Sequence, residues 1–234
     1  MSGKRPAKPA LGKPGFRVFT GWRRPDDQLL SAFGTASSAQ IADSMSRLGG
    51  MDAGIRPVWP SPRIIGPAVT AWCHSGDNLM LHKALSLAEP GDILVVNTQG
   101  NLSNSGFGEL LASSAVKIGV RGVVIDGTVR DVEALENLRL PVFARGVCAN
   151  GCNKDGAGEV GSAIACGGVA VRSGDVIIAD RDGVTVVALE DAAEVARLAA
   201  AQVEREEKRK AEIEKGVLVR PEIDQALRLL KIIE

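Results

Sequence analysis

Apolar positions along this chain follow two periods. Residues 92–96 (DILVV) and 120–125 are short, continuous apolar runs closed by turn signals, the pattern of strands covered on both faces. Pro90-Gly91 makes the turn before the first run, and 127–131 reads as the turn after the second. Around them the spacing lengthens to that of helices. Leu79, Leu81, Leu85 and Leu87 set a helix over 78–87, and another over 109–118 is stopped by Gly119. Helices are also expected over 26–33, over 37–48 (closed by Gly49-Gly50) and over 132–138. Strands are expected over 69–73 and 141–144, and a glycine loop over 106–108.

From residue 169 the period shortens to two. Residues 169–171, 175–179 and 184–187 alternate around Ser173-Gly174 and Asp182-Gly183, which predicts antiparallel strands and hairpins. A highly charged helix follows over 190–215, ending at Gly216, and then an amphipathic one over 221–233. The architecture is therefore mixed α and β. A βαβα half meets a β-rich half, with a helical tail available for subunit contacts. No repeat of 20–50 residues stands out. The 234 residues suit one large domain with appendages. We divide them into a flexible basic arm rich in Lys and Pro (1–15), a catalytic domain (16–189) and C-terminal helices that contact a neighbouring subunit (190–234).

Composition narrows the partners. Lys plus Arg and Asp plus Glu each number 28, so without a basic excess nucleic acid is not expected as a partner. Five Phe, three Trp and no Tyr offer no base-stacking platform. No apolar run approaches the roughly 18 residues of a membrane helix, and the N-terminus lacks the apolar region of a secretory signal. Cys73, Cys148, Cys152 and Cys166 form no CxxC pair, so reduced thiols in a cytoplasmic protein are the expectation. Two histidines disfavour a multi-His metal site.

Three motifs are decoys. Gly156-Ala-Gly-Glu-Val-Gly161 matches GxGxxG, but a dinucleotide site needs a strand before it and a helix after it. Here a polar loop precedes and a strand-like stretch follows. Ser114-Ala-Val-Lys117 matches SxxK without its companion motifs. Asp180-Arg-Asp-Gly183 resembles the opening of a calcium loop without its later ligands, and reads better as a hairpin turn.

The chemistry concentrates in Gly106-Phe-Gly-Glu-Leu-Leu111 and Gly127-Thr-Val-Arg-Asp131. Glycines before a helix let the backbone approach a ligand, and the first amides of that helix, at Leu110 and Leu111, lack intrahelical partners. They form an anion site suited to a carboxylate. Arg130 and Asp131 stand just past the carboxyl end of a buried strand, where α/β sheets place ligands. Asp131 can hold a hard divalent ion, and Arg130 can face a developing oxyanion. The same residues admit a structural reading: Asp131 as a helix N-cap with Arg130 its surface ion-pair partner, and Glu109 as a first-turn acid.

Glu109, twenty residues, then Arg130-Asp131 resembles the (Asp/Glu)-x20-Arg-Asp signature of the RraA-like proteins. That family includes the class II 4-hydroxy-4-methyl-2-oxoglutarate / 4-carboxy-4-hydroxy-2-oxoadipate aldolases. The resemblance runs from about residue 41 to 216. It includes Gly76-Asp-Asn-Leu79, Pro90-Gly-Asp92, Gly108-Glu-Leu-Leu111, Asp126-Gly-Thr-Val-Arg-Asp131 and Gly174-Asp-Val-Ile-Ile-Ala-Asp-Arg-Asp-Gly183. It implies an α/β fold, an αββα sandwich with a C-terminal helical extension, assembled as a homotrimer or homohexamer. It also implies a metal-dependent lyase that cleaves a 4-hydroxy-2-oxo diacid to pyruvate and a second oxo acid, with oxaloacetate decarboxylation as a side activity. Asp131 would bind Mg²⁺ or Mn²⁺ directly, and Glu109, here Glu where Asp is usual, would hold metal waters. Glu206 of a neighbouring subunit, or Glu207, would complete that site; a solvated helix charge is the plainer reading of either. Arg130 would bind the pyruvyl oxygen, and the amides of Leu110 and Leu111 its carboxylate. Asn78, His82 and Lys154 look like the remaining pocket residues. Asn78 and His82, at i and i+4, share one helix face. Other relatives inhibit ribonuclease E, which makes a protein-binding regulator the alternative. A methyltransferase is unsupported, because no cofactor loop is present.

Overall fold

The computed structural model describes residues 11–233. The chain opens with β1 (Leu11–Lys13), β2 (Phe16–Val18), α1 (Asp27–Ser31), α2 (Ser38–Ser44) and β3 (Arg56–Pro57). The central run is β4 (Ile64–Cys73), α3 (Leu79–Leu85), β5 (Ile93–Phe107), α4 (Glu109–Ile118), β6 (Gly122–Val129), α5 (Val132–Asn137) and β7 (Val142–Val147). Five short strands follow: β8 (Gly158–Val160), β9 (Ile164–Cys166), β10 (Val169–Val171), β11 (Val176–Asp180) and β12 (Gly183–Val187). The helices α6 (Ala192–Glu214) and α7 (Pro221–Leu229) end the chain.

Strands β4, β5, β6 and β7 lie side by side and parallel, as their continuous apolar runs require. On one face α3, α4 and α5 cover a core that includes Leu81, Phe107, Leu111, Ile125 and Leu135. On the other face Ile93, Val95 and Phe143 meet Ile177, Ala179 and Val184 of the antiparallel β11–β12 pair. The period-two pattern of β11 turns its alternate residues, Val176 and Ile178, outward onto Ile41 of α2 and Val195, Ala196 and Ala199 of α6. The order helix, sheet, hairpin, helix is an αββα sandwich. The Asp180–Gly183 pairing confirms the hairpin turn there.

Several expected boundaries move. Residues 11–13 pair with 16–18, so the last part of the expected arm (1–15) is a hairpin, and β2 runs parallel to β8. Residues 1–10 of the arm lie outside the described residues. Strand β6 continues through the expected turn at 127–129, and β5 continues through Phe107 of the expected glycine loop. Both extensions have one cause: β5 and β6 keep pairing past three register breaks, at Asn101, Ser105 and Phe107. Between the breaks Asn101 Oδ1 accepts the amides of Ser103 and Asn104. Helix α2 stops at Ser44 rather than 48, because Ser46 and Arg47 take positive φ. Helix α7 ends at Leu229, short of 233.

Candidate functional site

The end of β5 delivers Gly108, in extended backbone, to the N-cap of α4 without any capping side chain. The first amide of that helix, on Glu109, donates to Asp131 Oδ2 at 3.0 Å. Arg130 Nε lies 3.5 Å from the same oxygen, and the Arg130 amide donates to Phe107 O at 3.0 Å. That backbone bond ties the end of β6 to the end of β5. The amides of Leu110 and Leu111 follow in the uncapped first turn, directed past the helix end.

Asp131 precedes α5, yet its side chain does not cap α5; its carboxylate serves the neighbouring helix instead. The N-cap reading is thereby set aside. Asp131 also holds φ 58° and ψ 40°, left-handed backbone that costs a non-glycine residue of order 1–3 kcal/mol. Strain of this kind persists where the surroundings over-determine it, and it clusters at functional positions. The Arg130–Asp131 pair is part-exposed, so as a surface ion pair it contributes little stability.

These groups open onto a cavity of about 130 Å³. That is smaller than the ~300–1,000 Å³ of sites for drug-sized ligands, and suits a small ligand. Eight of the nine residues expected at the site line it: Asn78, His82, Glu109, Leu110, Leu111, Arg130, Asp131 and Lys154. Asn78 is buried, its Nδ2 donating to Gly106 O at 2.9 Å. His82 follows one turn later on α3, at the exposed mouth. Lys154 comes from a polar loop that Asp77 anchors by accepting the amides of Asp155 and Gly156 at 2.9 and 2.8 Å. Partial burial, reinforced by the Lys154 charge, lowers the pKa of His82. Both causes disfavour the imidazolium form.

The ninth residue stands elsewhere. Glu206 lies on α6, in the opposite helical layer, where Gln40 Nε2 and Gln202 Nε2 donate to its two oxygens at 2.6 and 2.8 Å. Those bonds lower its pKa and keep it ionised. Glu207 is exposed and pairs with Lys210 at 2.6 Å. One chain alone brings neither to Asp131. The sequence reading missed Ser105, Gly151 and Cys152 among the cavity's walls. Cys152 had a signal, two residues from Lys154 in the same loop. Burial raises the pKa of its thiol, so it is no ready nucleophile.

Among the described residues no group of three or more His, Cys, Asp or Glu is placed to hold a metal ion. Asp131 and Glu109 nevertheless offer carboxylate oxygens alone, at the mouth of the cavity. Such a donor set fits a hard divalent ion of the Mg²⁺ type, which keeps several waters and takes only one or two protein carboxylates.

Fold and site together define a mixed α/β sandwich whose sheet ends frame a small pocket beside an Arg-Asp pair. The chain belongs to the RraA-like family: the Aldolase/RraA family model matches residues 38–186. A Halalkalibacterium halodurans protein, provisionally named a 4-hydroxy-4-methyl-2-oxoglutarate aldolase, is 36% identical over 158 residues, 68% of this chain and 75% of its own. Streptomyces coelicolor RraAS2, described as an unusual member of the RNase ES inhibitor RraA family, superposes with a TM-score of 0.72 at 26% identity. The match covers 81% of this chain and all of that one. The RNA-processing inhibitor RraA from Thermus thermophilis gives a TM-score of 0.60 at 28% identity, over 65% of this chain and 92% of its own. No helix among the described residues is long and apolar enough to cross a membrane.

Proposed function

We propose that the protein is a divalent-metal-dependent aldolase that cleaves a 4-hydroxy-2-oxo diacid to pyruvate and a second oxo acid. The observation that carries this reading is the strained Asp131. Its carboxylate is held against the uncapped start of α4 beside Arg130, at the end of the sheet. A relative provisionally named as such an aldolase supports it.

Asp131 and Glu109 are the residues that would hold Mg²⁺ or Mn²⁺, and Glu206 of a neighbouring subunit would complete the set. The ion supplies electrophilic stabilisation of negative charge on the oxo acid. Everything else falls to the chain. The amides of Leu110 and Leu111 receive the pyruvyl carboxylate, which fixes the scissile bond over the cavity. The C4 hydroxyl passes its proton to a water steered by Glu109 at the cavity mouth, C4 becomes a carbonyl, and the C3–C4 electron pair moves into a pyruvate enolate. The Arg130 guanidinium faces the enolate oxygen, where charge develops. Protonation of C3 then releases pyruvate. Glu109, at the solvent-exposed mouth, stands where a proton enters and leaves. Lys154 and His82 frame the far carboxylate, with Lys154 supplying the charge. No lysine forms a Schiff base in this scheme. Oxaloacetate decarboxylation follows as a side activity, because it passes through the same enolate.

The similar Streptomyces coelicolor and Thermus thermophilis proteins are described as a member of an RNase ES inhibitor family and as an RNA-processing inhibitor, and a protein-binding regulator is the second reading. The intact pocket favours the enzyme. The deciding assay measures pyruvate release from 4-hydroxy-2-oxo diacids and oxaloacetate, with Mg²⁺, with EDTA, and with Mg²⁺ restored. Metal-dependent release is expected. No release from any of them, or full rates in EDTA, would defeat the proposal.

A further inference from the structure

Asn78 and Ser105 both line this cavity, and each holds an enclosed side-chain atom without a partner, Oδ1 and Oγ respectively. The two residues are 8% and 4% exposed. Buried polar groups in native proteins are almost always paired, and an exception asks for an explanation. Among the described residues the three other such atoms, on Trp22, Ser61 and Arg63, belong to residues that line no part of the cavity. Two orphans in one small pocket point to a ligand that completes them.

The kind of ligand follows from their chemistry. Asn78 Nδ2 is committed to Gly106 O, so Oδ1 is left as an acceptor with nothing to accept. The Ser105 main chain is held on both sides, its amide donating to Asn150 O at 2.7 Å and its strand position paired with Thr128. Only rotation about its Cα–Cβ bond remains, and that rotation turns the hydroxyl to a ligand. A carboxylate or a ketone has no proton for Asn78 Oδ1. A hydroxyl has one, and its oxygen also accepts from Ser105.

We infer that Ser105 is a specificity-determining residue which, together with Asn78, reads a hydroxyl group on the substrate. Ser105 donates to that oxygen and takes no proton from it, so this bond survives as the hydroxyl carbon becomes a carbonyl, whereas the bond to Asn78 Oδ1 holds the bound substrate and is given up when the hydroxyl loses its proton. The need for a hydroxyl rests on the orphaned atoms; assigning it to C4 of a 4-hydroxy-2-oxo diacid rests on the proposed aldolase reading. In that frame Ser105 separates such diacids from oxaloacetate, which lacks the group.

The test compares wild type with Ser105→Ala by calorimetry in Mg²⁺, using two unreactive diacids. Citramalate carries the hydroxyl and methylsuccinate lacks it. The wild type should prefer citramalate by on the order of 10-fold, about the value of one hydrogen bond, and the variant should bind both alike. The variant loses a hydroxyl without a protein partner, so its melting temperature should hold or rise. Overturning results are a wild type that binds neither diacid or shows no preference, a preference kept in the variant, or an equal loss for both diacids with a lowered melting temperature. Turnover is judged separately. A wild type that prefers citramalate yet releases no pyruvate from 4-hydroxy-2-oxo diacids would defeat the aldolase reading and leave Ser105 as a hydroxyl reader.

Discussion

Gly108→Ala tests whether the position of the Asp131 carboxylate matters. Gly108 sits in extended backbone that alanine also adopts, so the substitution introduces no strain of its own. A methyl group there would stand 2.5 Å from Asp131 Oδ2 and 3.0 Å from Arg130 Cγ. The first distance is about an ångström short of ordinary contact, and the atom that must yield is the end of a side chain. The carboxylate should swing away and lose its bond to the Glu109 amide. The fold should barely notice. Alanine is a poorer N-cap than glycine by roughly 1 kcal/mol, which in a chain of this size lowers the melting temperature by about 2–4 °C. Catalysis should notice strongly, since a displacement of about 1 Å in a reacting group can cost on the order of 10²-fold. Steady-state pyruvate release and differential scanning calorimetry on one preparation read the two effects. A kcat/KM within threefold of wild type would show that the carboxylate need not stand where it does. A melting temperature more than about 10 °C lower would show that the backbone, and not Asp131, absorbs the methyl group.

Three further outcomes are expected. Arg130→Ala should lose on the order of 10²–10³ in kcat, as for one oxyanion donor, and Arg130→Lys should recover little because an ammonium lacks the planar fork; unchanged kcat in folded Arg130→Ala would return the residue to a surface ion pair. Asp131→Ala and Glu206→Ala should each be inactive, but when they are unfolded and reassembled together about a quarter of the sites in a closed ring become whole; no recovered activity in mixed oligomers verified by mass would place Glu206 outside the site. Lys154→Gln should raise the pKa of His82, because it removes a cation that disfavours the imidazolium, while burial, the larger cause, keeps it below 6.5; NMR titration of the ring protons checks this, and an unmoved or lowered value would separate Lys154 from His82.

Sequence alone determined what short-range rules control. The helix over 109–118 has its expected bounds, because Gly119 takes the left-handed C-cap at φ 90° that the helix needs. The apolar runs of β5 and β6 announced buried strands, and the i, i+4 spacing placed Asn78 and His82 on one face of α3. The Arg130-Asp131 pair was legible as chemistry, and so was the open helix start at Leu110 and Leu111. What Asp131 touches was not. Its partner amide is 22 residues away, and the two meet only because β5 and β6 stay paired past three breaks in register. Local propensity places a turn at residues 127–131, and the long-range pairing overrides it. The orphaned hydroxyl of Ser105 is likewise invisible in a sequence, since being unpartnered is a property of the packing around an atom. Glu206 marks the far limit. Its helix and charge were readable, but its clamp by Gln40, 166 residues away, comes from the packing of α2 beside α6 on the outer face of the hairpin. A carboxylate's neighbours depend on which layers the chain folds into, and contacts between layers carry no period along the chain.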